Sequence, residues 1–119
     1  MGDPRKITEK QLQEEVRKMA LIHGWEYYHP WISIHSTSGY PDCTLVHVQK
    51  RRMIWAELKA DGKEPTSKQR EWLDNLQNFA GAWSFSGVST KSSAIKMEIG
   101  VYVWKPADID RIWEILSRQ

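Results

Sequence analysis

Residues 43–58 read Cys-Thr-Leu-Val-His-Val-Gln-Lys-Arg-Arg-Met-Ile-Trp-Ala-Glu-Leu: two β-rich runs, 43–48 and 53–58, around a polar break. Short runs of β-branched and aromatic residues on either side of such a break predict an antiparallel hairpin. A turn centred between Gln49 and Lys50 puts Cys43, Leu45, Ile54, Ala56 and Leu58 on one face. Thr44, Val46, Met53 and Trp55 then share the other. Both faces are apolar, which predicts a sheet covered on both sides. The same register sets Asp42 opposite Glu57, with Cβ atoms about 4.5–5.5 Å apart. Glu57 and Lys59 are two residues apart on one strand and point the same way. Two carboxylates and an ammonium therefore converge at one end of the hairpin, where charge is costly unless it has partners or a task.

Helical signals flank this hairpin. Thr8 with Gln11 has the spacing of a capping box, and Leu12, Val16, Met19, Ala20 and His23 follow at helical period until Gly24, a left-handed C-terminal cap. Residues 25–28 are a short aromatic strand. Residues 29–41 (HPWISIHSTSGYP) are a loop rich in Pro, Gly and Ser. A second loop, 60–65, leads to Thr66 and Gln69, again at capping-box spacing. They open a helix through about Phe79 with Trp72, Leu73, Leu76 and Phe79 on one face. Residues 81–98, with Gly81, Gly87 and a Ser/Thr/Lys cluster, read as an insertion, a loop or protruding hairpin. A strand over 99–104 precedes Pro106, which suits the first turn of a last helix striped by Ile109, Ile112, Trp113 and Leu116. The expected fold is a single α/β domain over residues 1–119, a polar lead-in at 1–7 included, with helices on both faces of a mixed sheet.

Composition narrows the function classes. The chain has 119 residues, seven Trp and one Cys, with a net charge of +2. One Cys cannot form an internal disulfide, and no Cys/His group has zinc-like spacing. The first residues, MGDPRKITEKQLQ, have no hydrophobic signal core, and no apolar run approaches the roughly 20 residues needed to cross a bilayer. A cytoplasmic protein without a membrane partner is expected. The small net charge neither demands nor excludes a polyanionic partner.

Paired carboxylates repel unless a cation lies between them, and hard oxygen donors suit Mg²⁺ or Mn²⁺. A lysine beside such an ion either helps deprotonate an attacking water or neutralises charge developing on a phosphate, so Asp42, Glu57 and Lys59 point to phosphodiester hydrolysis. An acid-x-Lys triplet by itself is also common on solvated strand faces, as a weak surface pair.

Gly39-Tyr40-Pro41-Asp42 followed by Ala56-Glu57-Leu58-Lys59 closely resembles the PD-(D/E)XK nuclease superfamily, and within it the small stand-alone VRR-NUC domain proteins, many of them from phages. Thr8-Glu9, Gly24-Trp25, Tyr28-His29, Ser36 to Ser38, Gln69 with Trp72-Leu73, and Val101-Tyr102-Val103-Trp104-Lys105-Pro106 fall in order along with them. The resemblance covers roughly residues 8–80 and 99–116. It implies a restriction-endonuclease-like core and Mg²⁺- or Mn²⁺-dependent cleavage of DNA, on branched substrates such as Holliday junctions or flaps, in a bacterial or phage-infected cytoplasm. Asp42 and Glu57 would be metal ligands, joined by the Leu58 backbone carbonyl, and Lys59 the catalytic lysine. Glu9 is the candidate for a further acidic ligand; its other reading is favourable placement at a helix N-terminus. Glu14 is a weaker candidate, off that helix face. Gln69 resembles a glutamine that supports the site, and its capping-box position is a structural alternative. Cys43 stands where these domains usually carry an aliphatic residue, and 81–98 is longer than their compact version.

In the loop before Asp42, the hydroxyls of Ser36, Thr37 and Ser38 are candidates for phosphate contact. His29 and His35 are weaker candidates for a general base, and Trp31 for base stacking. Lys63, Lys68 and Arg70, at the second helix start, are the better candidates for steering a phosphate chain. Lys50-Arg51-Arg52 is an exposed basic turn that either touches a DNA backbone or has no partner. A homodimer is expected, through residues 81–98 or the last helix, because symmetric pairing doubles the footprint on a branched duplex. A non-cleaving nucleic-acid-binding module and an RNA endonuclease remain as alternatives.

Overall fold

The structure is a computed structural model that describes residues 7–30, 39–86 and 97–118, with residues 82–86 as backbone only. The chain runs α1 (Glu9–Ile22), β1 (Glu26–Tyr28), β2 (Cys43–His47), β3 (Arg52–Leu58), α2 (Ser67–Ser86), β4 (Glu98–Trp104), a 3-10 turn (Pro106–Asp108) and α3 (Ile109–Ser117). It is a mixed α/β fold. The four strands lie in the order β1-β2-β3-β4, antiparallel except for the parallel β3/β4 pair. A parallel pair needs a crossover, and α2 supplies it.

The hairpin register is the expected one, with Cys43 facing Ala56, Leu45 facing Ile54 and His47 facing Arg52. Its inward face joins α1 and α3 in one core. Cys43, Leu45, Ile54, Ala56 and Leu58 pack with Leu12, Val16, Met19 and Ala20 of α1, and with Ile112, Ile115 and Leu116 of α3. Each large side chain so buried contributes about 1.5–3 kcal/mol. α2 serves the other face. There Trp55 Nε1–H donates to the Tyr40 hydroxyl at 3.0 Å, and the Tyr40 ring packs edge-on against Trp72 of α2.

Both capping boxes form. Thr8 and Gln11 exchange bonds of 2.8 and 3.1 Å, and Thr66 and Gln69 bonds of 2.8 and 3.2 Å. Gly24 follows the α1 cap at φ 82°. Two expectations need correction. Residues 81–86, read as the start of a loop or hairpin, continue α2, while 87–96 lie outside the described residues. Gly81 costs a helix only about 1 kcal/mol, which a helix of 20 residues tolerates. In α3, Ile115 is buried and Trp113 is 44% exposed, its ring against His23. These residues flank the Ile112/Leu116 stripe on opposite sides, and the layer the helix lies on decides which flank is covered. Phe79, expected on the packed face of α2, is also half exposed. Among the described residues, no helix is long and apolar enough to cross a membrane.

Gly39 has φ +87°, and a Cβ there would stand 2.6 Å from the Lys68 carbonyl carbon and oxygen. Backbone meets backbone, so neither side can yield cheaply. Gly39→Ala should cost about 2–5 kcal/mol, from left-handed strain of about 1–2 kcal/mol and an overpacking penalty of about 1–3 kcal/mol. Gly62 is the control: it has φ +82° with nothing within 4 Å of an added Cβ. Gly62→Ala should show only the strain. Equal losses in denaturant melts would remove the clash from this account.

Candidate metal centre

Asp42 stands one residue before β2, and Glu57 is the penultimate residue of β3. The register therefore brings them side by side where the hairpin opens. Asp42 Oδ2 accepts the Leu58 N–H at 2.8 Å, so a carboxylate continues the ladder where the β2 backbone stops. In an extended strand a residue's N–H and C=O point to the same side, so the Leu58 carbonyl also faces the Asp42 edge. Lys59 N–H donates instead to Trp104 O at 3.0 Å, which ties the far side of this strand end to β4.

Glu57 is 1% exposed, and among the described residues no N–H or hydroxyl group donates to its carboxylate oxygens. The Lys59 ammonium lies 3.8 Å from Glu57 Oε2, close enough for attraction and too far for a hydrogen bond. Glu9, the first residue of α1, is exposed, yet its carboxylate reaches this group. One oxygen each from Glu9, Asp42 and Glu57 lies within 4.8 Å of the others. Three carboxylates thus stand together, and one of them, Glu57, has the Lys59 ammonium beside it. Burial first, then the Asp42 charge and a hydrogen bond shared with the Asp42 carboxyl, push the Glu57 carboxyl up to about 8; Lys59 opposes this and Glu9 adds to it. These three acids are the described residues with the chemistry and spacing to hold a divalent ion.

The loop carrying Asp42 is braced from both sides. Tyr40 bonds Trp55 and packs on Trp72, Pro41 is fully buried, and Gly39 lies against the first turn of α2. Tyr40 as a brace is not among the residues that the sequence singles out. The available signal was an aromatic residue inside Gly-x-Pro-Asp with a Trp two residues before Glu57.

The other candidates fall elsewhere. Gln69 Oε1 is committed to the Thr66 N–H, a contact of the helix cap and not of the acidic group. Glu14 pairs with Arg17. Lys63, Lys68 and Arg70 are exposed around the start of α2. Trp31, His35, Ser36, Thr37 and Ser38 lie outside the described residues. Two residues of the basic turn have structural partners. Lys50 Nζ donates to the Ser117 and Arg118 carbonyls, and buried Arg52 bonds Glu98 at 2.8 Å with its guanidinium over Trp25. Only Arg51 of that turn is exposed. An apolar groove of about 370 Å³, lined by Val46, Met53, Phe79 and Ile99, sits toward the turn end of the hairpin, away from the acids.

Comparisons with protein-family models, with curated proteins and with solved structures found no match.

Proposed function

We propose that the chain is a divalent-metal-dependent endonuclease of the PD-(D/E)XK type, a VRR-NUC-like domain with a restriction-endonuclease-like core, hydrolysing DNA phosphodiesters. The observation that carries this reading is Glu57, a carboxylate removed from water to which no N–H or hydroxyl of the described residues donates, beside two further carboxylates and one ammonium. A buried carboxyl in such a place is expensive to ionise, and a divalent cation is the partner that this oxygen set fits once it does. Asp42, Glu57 and Glu9 would hold Mg²⁺ or Mn²⁺, with the Leu58 carbonyl on the same edge. When bound, such an ion lowers the pKa of water and offsets negative charge on a phosphate.

The protein's own groups do the rest. Lys59 projects beside Glu57 from a strand end fixed on both edges, so its ammonium has a set position from which to orient an attacking water or neutralise phosphate charge. Asp42 is held by the Leu58 N–H, which limits how far its carboxylate can swing. Lys63, Lys68 and Arg70 steer the phosphate chain toward this end of the hairpin. Branched DNA is the proposed substrate, gripped by a homodimer.

Linear, flap and four-way DNAs, with an all-RNA strand beside them, incubated with Mn²⁺ test the proposal. Cleavage of branched DNA that is lost in Asp42→Asn is the expected result. Binding without cutting under Mg²⁺ and Mn²⁺ would replace it with a non-cleaving module, and cutting confined to RNA would move the substrate class.

A further inference from the structure

Asp42 carries a structural problem on its main chain. β1 pairs with β2 so that Glu26 faces Val46, Tyr27 faces Leu45 and Tyr28 faces Thr44. Continued by two residues, that register sets Pro30 opposite Asp42. Proline has no N–H, so the ladder cannot supply a donor to the Asp42 carbonyl. The donor comes from a side chain: His29 Nδ1 lies 2.6 Å from Asp42 O. A carbonyl oxygen only accepts, so Nδ1 is the protonated nitrogen of this ring. Asp42 is thereby held at both ends, its carbonyl by His29 and its Oδ2 by the Leu58 N–H at 2.8 Å.

We infer that His29 is a positioning residue of the acidic centre, its Nδ1–H fixing the Asp42 peptide and so the direction from which the Asp42 carboxylate meets Glu57 and a divalent ion. This inference rests on the metal-centre reading above. The half-buried ring replaces the strand hydrogen bond that Pro30 cannot make. Without it the Asp42 carbonyl loses this partner, and the residue between Pro41 and β2 is held through its side chain alone.

The role belongs to one atom, and that makes it testable. His29→Asn places an amide N–H where Nδ1–H stands, His29→Gln places it where Nε2 stands, and His29→Phe keeps the ring without a donor. Mn²⁺ binding to the full chain, read by calorimetry, is compared across the three, with Asp42→Asn as the reference for a lost ligand and thermal melts as the check on folding. The expected result is near wild-type affinity for the Asn variant and roughly 10–100-fold weaker binding for the Gln and Phe variants, the usual cost of losing a partner that orients a metal ligand. Phe binding as tightly as wild type overturns the inference while the metal centre stands. So does equal weakening of Asn and Phe, which would assign His29 to packing alone. A wild-type chain that binds no Mn²⁺, or an Asp42→Asn variant that binds as well as wild type, overturns the metal-centre reading itself.

Discussion

Lys59→Ala is expected to slow DNA cleavage by roughly 10²–10⁴-fold, the range typical of losing a positioned proton-transfer group, while the chain still folds. Lys59 sits just beyond β3 and its side chain is 15% exposed, so its removal opens no hole in the core. Its backbone bond to Trp104 O is unaffected by the substitution. What disappears is the one cation within 4 Å of Glu57 among the described residues. Because Lys59 holds the Glu57 carboxyl down against burial and Asp42, the variant should also need a higher pH or more metal to load. Single-turnover cleavage at saturating Mn²⁺ separates that binding effect from the chemical step. Lys59→Arg should not restore the rate, because a planar fork of donors does not reproduce a compact ammonium. Cleavage by Lys59→Ala at the wild-type rate would leave the hydrolytic proposal without its proton-handling group.

The second large effect concerns the metal-free chain. Burial and the Asp42 charge push the Glu57 carboxyl up from its ordinary value of 4.5 to about 8 in the folded chain. Below about 4.5 the carboxyl is neutral in both the folded and unfolded chain, and its burial carries no ionic penalty. As pH rises from there, the unfolded chain releases its proton first. Stability therefore falls through the window up to about 8, by about 5 kcal/mol at 1.36 kcal/mol per pKa unit, and then levels off. Glu14, Glu64 and Glu98 are shifted down by their cationic partners, so their linkage acts below 4.5. Melting temperatures in chelator should drop between pH 5 and 8 for the wild type and stay nearly flat for Glu57→Gln. Added Mn²⁺ should restore the wild type at pH 8, because it binds the folded chain, and should do little for the variant. A wild-type profile that is flat or rises with pH would remove the buried anion from this account.

Much of the hairpin and both caps were legible in the sequence, because each depends on neighbours in the chain. The alternation of residues 43–48 and 53–58 requires a pairing that buries Leu45 and Ile54 together, and a slip by one residue would turn every core side chain toward the other face. Thr8/Gln11 and Thr66/Gln69 satisfy their own first turns and need nothing from afar. The adjacency of Asp42 and Glu57 follows from that pairing alone.

Other features depend on how the layers meet. Gly81 is a weak stop by itself, and the helix runs through it to Ser86. Trp113 and Ile115 were equally available to the α3 stripe until the layer beneath chose between them. Glu9 shares a helix face with Leu12 and Val16, but only the seating of α1 on the sheet brings its carboxylate to Asp42 and Glu57. His29 read as a loop histidine because its partner is a main-chain carbonyl thirteen residues away, invisible to any pattern of side chains. Periodicity and turn chemistry thus determined which strands pair and which acids share an end. The depth of Glu57, the arrival of Glu9 and the clamp on Asp42 were decided by tertiary structure, since burial and orientation belong to the packed layers and not to any one segment.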